Sequence, residues 1–466
     1  MTDNSAPLSI DLSWNRRALL GSLAVILFCL PALWLLYRGY TVPAALYVAL
    51  PIAFLALMTP RYAFYFMLFS NFVYAPYLLG GVALHPGDLA ALLFLTAVLI
   101  GRLLEAPAAM AKTRFDYYFW ALILVAAVSA VFARDPLLSL VPIMRLFFIY
   151  FVFRAIYTYS RQSGPRRCLT VYIYGLALIS LFHTALFLHE GGTDRIFGFS
   201  GIGFETFIMT VVPVTLAFAI WSSSAARRRL FTVLFIVNLL GALATMSRGP
   251  LLTIALACPV LLIVSYRKAR QMKAESAIKY MRILAAVIIP TIIIAAVVSG
   301  FFFQVWSRFS ELGTEQPSGT ILLRMSLWRA ALDSFALNPL TGIGIGNFKI
   351  IDDLLPHLKF DPVRFYLVGM SFHNVFLHFL AETGLIGAGV IGLFGLASFR
   401  TGLATVKKTM SPEAMPASAA VFVLSFIFLI TLFYMRVWTW GQEGFVLAFI
   451  LALLARQYQL VEENKG

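Results

Sequence analysis

Four side chains have types and positions suited to chemistry on a phosphorylated substrate. His373 precedes a long apolar segment, and histidine titrates close enough to neutral pH to accept a proton from a hydroxyl group. Arg195, Arg248 and Arg324 lie in separate segments that border apolar runs. A guanidinium group stays charged and offers fixed bidentate donors. Three arginines that meet at one face of the protein would therefore suit a diphosphate.

Each of these residues also has a structural interpretation. A lone histidine at a helix start often caps or packs that helix. Arg248, in Thr245-Met-Ser-Arg-Gly-Pro250, could anchor the end of a span at the membrane interface. Arg195 could be a solvated loop charge. Arg324 and Arg329 are five residues apart and point to different sides of a helix, so only one of them is expected to face a shared site.

Further polar residues lie within apolar segments. His378 and Glu382 have i,i+4 spacing, and we predict that they pair with each other as structural support. Glu382 is about half a turn around the helix from His373 and is a poor candidate to orient it. Arg145 and Arg154 lie inside one apparent span, where unpaired charges are costly. Arg145 could belong to a path for lipid phosphate, and Arg154 is expected to reach the cytoplasmic headgroups.

The composition indicates which elements hold these residues. Of 466 residues, 61% are hydrophobic and 12% are charged, whereas about 25% are charged in a soluble domain. Apolar runs of about 20 residues recur along the chain, and we predict an all-α polytopic membrane protein with about 12 to 14 transmembrane helices. One of them is expected over residues 62–80. The three cysteines are far apart and form neither a disulfide framework nor a metal-ligand pattern.

The net charge of +15 follows membrane topology and does not indicate nucleic acid. With the N-terminus in the cytoplasm, most Lys and Arg residues fall in the predicted inside loops, as the positive-inside rule requires. The first apolar run lacks a cleavage site and is expected to be a retained helix. Both termini are then cytoplasmic, and the four residues of the first paragraph share the opposite face.

One long polar segment, residues 304–372, is expected as a loop on that outside face. It contains an amphipathic helix predicted over Leu322 to Leu337, which Asn338-Pro339 ends, and then a glycine-rich turn. A loop of this length is usually functional. We therefore divide the chain into N-terminal transmembrane helices, a core that includes the loop, and C-terminal transmembrane helices with a cytoplasmic tail: residues 1–240, 241–399 and 400–466.

Other functional classes have less support. Secondary transporters, the alternative from a different class, typically show internal repeats and intramembrane carboxylates, whereas this sequence shows no repeat and Glu382 is its main intramembrane acid. The outside acids Asp352 and Asp353 are adjacent and do not resemble a cation site, so we expect no metal. Gly342-Ile-Gly-Ile-Gly346 follows no strand, so it predicts turns and close packing, not a dinucleotide site. No cofactor is implied.

Three segments together resemble the O-antigen ligase and O-antigen polymerase superfamily of bacteria. They are Thr245-Met-Ser-Arg-Gly249, the stretch from Arg324-Met-Ser-Leu-Trp-Arg329 to Gly-Ile-Gly-Ile-Gly-Asn-Phe348, and the stretch from His373-Asn-Val-Phe-Leu-His378 to Glu-Thr-Gly-Leu-Ile-Gly387. The strong match covers about residues 240–395. Upstream of it, the chain agrees with the superfamily only in being a series of apolar spans.

The resemblance implies a C-type membrane glycosyltransferase at the periplasmic face of the bacterial inner membrane. Its donor would be a glycan linked to a polyprenyl diphosphate such as undecaprenyl diphosphate. Ligase members transfer the glycan to lipid A-core in lipopolysaccharide biosynthesis, and polymerase members extend the polysaccharide chain; we favour the ligase. Carried over, His373 would be the general base, Arg324 and Arg195 would bind the diphosphate, and Arg248 would lie near the donor or brace the site. An in-line attack would invert the anomeric centre without a metal.

Overall fold

A computed structural model describes residues 59–71, 77–79, 82–84, 86–104, 111–189, 201–288, 319–350, 372–434 and 441–463. They are predominantly helical, with one short hairpin between the first two helices. The helices are α1 Pro60–Ser70, α2 Pro86–Leu104, α3 Arg114–Val131, α4 Pro136–Ser163, α5 Pro165–His189, α6 Gly201–Trp221, α7 Ala225–Ala244, α8 Arg248–Gln271, α9 Glu275–Ile283, α10 Gly319–Leu337, α11 Val375–Lys408, α12 Met415–Thr431 and α13 Gly441–Glu463; the strands are β1 Tyr77–Leu79 and β2 Val82–Leu84.

Length and composition allow seven of the described helices to cross a membrane, and α12 is a shorter apolar helix. The seven are α3, α4, α5, α8, α11 and most of α6 and α13. The all-α polytopic membrane fold is therefore confirmed. Helix α6 is the most enclosed, because it is apolar on every side and packs against α7, α8, α12 and α13.

The predicted span over residues 62–80 is wrong. Helix α1 ends at Ser70, where the side-chain amide of Asn71 donates to the carbonyl oxygen of Met67 at 2.8 Å. Strands β1 and β2 then pair in antiparallel register, with Tyr77 opposite Leu84. The part of the run that follows α1 is short, and a short apolar segment suits a buried helix and a strand equally. The signal that separates them is the dipeptide Gly80-Gly81, which is typical of a two-residue hairpin turn.

The buried arginine of α4 is paired with a carboxylate. Arg154 Nη1 lies 3.0 Å from Asp116 Oδ2 and also donates to the carbonyl oxygen of Ala111. Asp116 in turn accepts from the backbone amide of Thr113 and so caps α3. Arg154 is therefore paired within the bundle, as a charge held between helices requires.

Helix α11 is broken in its first third. It continues past residue 399, where we place the end of the core, and ends at Lys408. Gly384 has φ 67° and ψ −166°, which interrupts the helical hydrogen bonds. The amides of Ile343 and Gly344 donate to the freed carbonyl oxygens of Ala381 and Glu382, both at 3.0 Å. The amide of Leu385 donates to Pro339 O at 2.8 Å. Residues 339–344 thus replace the bonds that the break removes, as broken helices in membranes require.

The glycine-rich turn, residues 341–348, is buried between helices and does not extend into a solvated loop. Gly342, Gly344 and Gly346 have φ values of 70°, 96° and 81°, a region that only glycine adopts freely. A Cβ atom on Gly344 would overlap Ala133, and one on Gly342 would overlap the backbone of α11. The glycines therefore serve tight turns and close packing, as predicted.

Candidate functional site

His373 lies two residues before the first residue of α11 and has a strained backbone. Its φ is 50°, a left-handed conformation that costs roughly 1–2 kcal/mol for a residue other than glycine. Both neighbours are anchored: the Asn374 side chain accepts from the amide of Leu377 at 2.9 Å, and the Phe372 ring is fully buried. Strain of this kind persists only where the surroundings hold it in place, and it clusters at functional sites.

The helix that carries Arg324 is tied to the segment that carries His373. Trp328 Nε1 donates to the carbonyl oxygen of Phe372 at 3.1 Å, which ties α10 to the residue before His373. Arg324 precedes Trp328 by four residues, so it lies on the same side of α10, about one turn away. Arg329 follows Trp328 directly and points about 100° away from it. Of the two arginines, Arg324 is the one on the side of α10 that meets the His373 segment.

Arg248 is the first residue of α8 and follows a second strained position. Met246 has φ 49°, again left-handed. The hydroxyl of Ser247 donates to Glu205 Oε2 at 3.0 Å, and the amide of Ser247 donates to Thr245 Oγ1 at 3.3 Å. The turn from α7 into α8 is therefore fixed to α6, and the first residue of α8 has a defined position.

The turn after α12 links the start of α8 to the start of α11. The Tyr434 hydroxyl hydrogen bonds Thr253 Oγ1, and a Cβ atom on Gly249 would lie 3.7 Å from the Tyr434 ring. Two residues earlier, Leu432 O accepts from the amide of Phe376 at 2.9 Å. The structure thus brings the segments of Arg248, Arg324 and His373 together at one end of the bundle, the His373 end. Arg195 lies outside the described residues.

The predicted contact between His378 and Glu382 is present, with Nε2 and Oε2 2.9 Å apart. Glu382 is 1% exposed and also accepts from the amides of Gly346 at 2.9 Å and Phe348 at 3.2 Å. The carboxylate therefore joins α11 to the glycine-rich turn. Phe348 packs against Phe372, which places this joint beside the residue that precedes His373.

Asn347, which the sequence analysis did not single out, fixes the other side of the turn. Its Oδ1 accepts from the amide of Asp135 at 2.9 Å, and its Nδ2 donates to Asp135 O and Ser139 Oγ, both at 3.1 Å. The amide of Ile345 donates to Ser129 Oγ. Trp328 and Tyr434 were missed as well. The only sequence signal for any of them was the i,i+4 spacing of Trp328 from Arg324.

Arg145 opens onto a different side of α4. The side chains of Ser139 and Pro142 contact the glycine-rich turn, whereas Arg145 lines a cavity of about 460 Å³ together with Asp88. Within the described part of the chain, no group of three or more His, Cys, Asp or Glu residues could hold a metal ion.

Comparison with protein families connects this geometry to a known domain. A family model described as O-antigen ligase matches residues 230–392, which include Arg248, Arg324 and His373. These residues form a domain of the O-antigen ligase and polymerase superfamily. The O-antigen ligase domain begins in α7 and ends in α11, so it contains the glycine-rich turn and the broken helix. No curated protein sequence matches the chain.

The O-antigen ligase domain indicates what class of protein this is. It is a multi-pass membrane protein with a glycosyltransferase-like domain, and the family implies polysaccharide and lipid-linked substrates. The helices outside the domain contribute contacts that the domain needs: α3 and α4 hold the glycine-rich turn, and α12 supplies the turn between the starts of α8 and α11.

Proposed function

We propose that this protein transfers a glycan from a polyprenyl-diphosphate donor to an acceptor hydroxyl at the periplasmic face of the bacterial inner membrane. We favour an O-antigen ligase, with lipid A-core as acceptor. The observation that carries the proposal is the convergence of the Arg248, Arg324 and His373 segments at one end of the bundle, inside the O-antigen ligase domain.

In this mechanism His373 is the general base. It accepts the proton of the acceptor hydroxyl while that oxygen attacks the anomeric carbon. The bond from the anomeric carbon to the diphosphate breaks as the new glycosidic bond forms, and the electron pair leaves with the polyprenyl diphosphate. Because attack and departure are in line, the anomeric configuration inverts.

The arginines bind the donor and stabilise the leaving group. Arg324 and Arg248, with Arg195 as the third member, present fixed cationic donors to the diphosphate as its negative charge increases. The reaction then needs no metal ion. Glu382 and His378 act indirectly, since they hold the glycine-rich turn against the helix that follows His373.

Transfer by the purified full-length protein tests the proposal. A labelled oligosaccharide on a polyprenyl diphosphate is offered together with lipid A-core and a second unlabelled donor molecule as competing acceptors. We expect label on lipid A-core. Lengthening of the lipid-linked glycan would identify a chain polymerase of the same superfamily, and transfer to neither acceptor would contradict the proposed activity. Activity should survive chelation; loss on chelation that a divalent ion restores would rule out the metal-independent mechanism.

Variants separate chemistry from folding. His373→Asn is the informative change, because asparagine tolerates the left-handed backbone but cannot act as the base. We expect His373→Asn and Arg324→Ala to abolish transfer while membrane insertion is unchanged. Arg329→Ala, on another side of the same helix as Arg324, is the matched control and should have a mild effect. Full transfer by His373→Asn would show that another group is the base.

A further inference from the structure

The cavity that Arg145 and Asp88 line lies on a side of α4 other than the one that contacts the glycine-rich turn. It has a volume of about 460 Å³ and is enclosed by α2, α4 and α13, with the end of α1 beside it. Its walls are almost entirely apolar, with Phe148, Val152 and Phe445 among them. None of its lining residues belongs to the proposed transfer site.

The polar groups of this cavity are concentrated at one end. Asp88 is in the first turn of α2, Asn71 follows α1, and Arg145 lies in the N-terminal half of α4. Asp88 is close enough to Arg145 to interact with it electrostatically. From Arg145 the apolar wall continues to Val152, roughly 10 Å along the helix. The cavity is thus amphipathic, and its charged end lies near the starts of α2, α4 and α13.

The cavity also opens sideways, toward the surface of the helical bundle. Leu89, Leu92 and Met144 at its rim are 59%, 55% and 70% exposed. The residues of α4 that line the cavity extend over about 16 Å of the helix. A chain longer than the cavity can leave through the rim into the bilayer.

We propose that this cavity binds the phosphate-bearing end of a single-chain polyprenyl lipid. Arg145 contacts the phosphate, and the first isoprene units lie along Phe148 and Val152. The charged end is at the His373 end of the bundle, because the start of α4 holds the glycine-rich turn through Asp135 and Asn347. The choice of a polyprenyl lipid rests on the proposed function, since transfer releases a polyprenyl diphosphate, and a polyprenyl monophosphate carries the same chain with a single phosphate group.

Arg145 exchanges one anionic partner for another in this proposal. Asp88 interacts electrostatically with Arg145, and a bound phosphate would take the guanidinium fork while Asp88 remains nearby as a like charge. The two residues should therefore have opposite effects on binding: loss of the Arg145 charge weakens it, and loss of the Asp88 charge strengthens it. A merely structural ion pair would not produce these opposite signs.

Native mass spectrometry of the full-length protein tests the proposal. The protein is titrated separately with a polyprenyl monophosphate, the corresponding polyprenol, and phosphatidylglycerol. We expect the monophosphate to bind in preference to both others. Equal binding of the polyprenol would overturn the role of the phosphate, and preferential binding of phosphatidylglycerol would overturn the assignment to a polyprenyl lipid.

Four variants locate the binding. Arg145→Gln should weaken monophosphate binding about tenfold, the effect of losing one charge-assisted hydrogen bond, and Asp88→Asn should strengthen it. Arg161→Gln is the matched control, because Arg161 is an exposed arginine on the same helix outside the cavity. Equal binding by Arg145→Gln and Arg161→Gln would refute the site, and so would weaker binding by Asp88→Asn. His373→Asn should bind the lipid normally while losing transfer. Lipid binding and glycan transfer are therefore measured separately, and failure of the lipid site is distinguishable from failure of the proposed function.

Discussion

The buried carboxylate of Glu382 allows a quantitative test of how the glycine-rich turn is held. Replacing Glu382 by alanine removes the acceptor for the amides of Gly346 and Phe348 and for His378 Nε2. The histidine can rotate toward another partner, but the two backbone amides cannot, because the surrounding helices fix the turn. Phe348 is 2% exposed, so water cannot replace the lost acceptor without a rearrangement of the turn.

The expected loss follows from these two amides. A buried donor left without an acceptor costs about 1–3 kcal/mol, and removal of a buried carboxylate returns part of its desolvation penalty. We therefore expect Glu382→Ala to lower the free energy of unfolding by about 3 kcal/mol. Glu382→Gln keeps one acceptor oxygen but turns an NH2 group toward a donor. It should therefore lower the free energy of unfolding by roughly half as much as Glu382→Ala does.

Unfolding in mixed micelles, titrated with a denaturing detergent, measures this free energy. Glu413→Ala is the matched control, because Glu413 is an exposed loop residue whose carboxylate partner, the Ser411 hydroxyl, can bond water instead. The control should change the free energy of unfolding by less than about 0.5 kcal/mol. If Glu382→Ala were as stable as Glu413→Ala, the carboxylate would not be holding the turn.

Three further substitutions probe the neighbouring contacts. Gly384→Ala should lower the yield of folded protein sharply, because the residue has φ 67° and a Cβ atom would overlap a backbone carbonyl. Gly389 has open space around it, so Gly389→Ala should be tolerated, and size-exclusion chromatography of both variants tests this. Asn347→Ala should lower the free energy of unfolding by about 2–4 kcal/mol in the same micelle titration, since it leaves the Asp135 amide and the Ser139 hydroxyl without their partner. An unchanged free energy would show that Asn347 does not hold the glycine-rich turn against α4. Trp328→Phe keeps the ring but removes the hydrogen bond that positions α10, and transfer should fall about 2- to 10-fold in rate assays with expression unchanged; unaltered transfer would refute that positioning role.

Local spacing in the sequence was sufficient for several elements. The helix predicted over Leu322 to Leu337 is observed over Gly319–Leu337, because its apolar period and the Asn338-Pro339 stop are both local signals. The contact between His378 and Glu382 likewise follows from i,i+4 spacing. Both signals lie within a few turns of one helix, so they do not depend on the rest of the fold.

Long-range contacts could not be predicted from local spacing in the sequence. Asn347 bonds Asp135, 212 residues earlier in the chain, and neither residue belongs to a periodic pattern that would connect them. The left-handed backbone of His373 is also a tertiary effect, since an isolated peptide would avoid it. The burial of the glycine-rich turn was missed for the same reason: a polar, glycine-containing segment resembles a solvated loop until its hydrogen-bond partners are known.

The break at Gly384 has a consequence for how the chain is assembled in the membrane. The nine helical residues before it are too few to span a bilayer, and the carbonyl groups at the break would face lipid without donors if the glycine-rich turn were not already in place. Synthesis from the N-terminus supplies the parts in a workable order. The α3–α4 hairpin is made first and offers Ser129, Asp135 and Ser139; the turn docks on it next; and α11, emerging last, inserts against donors that are already in place.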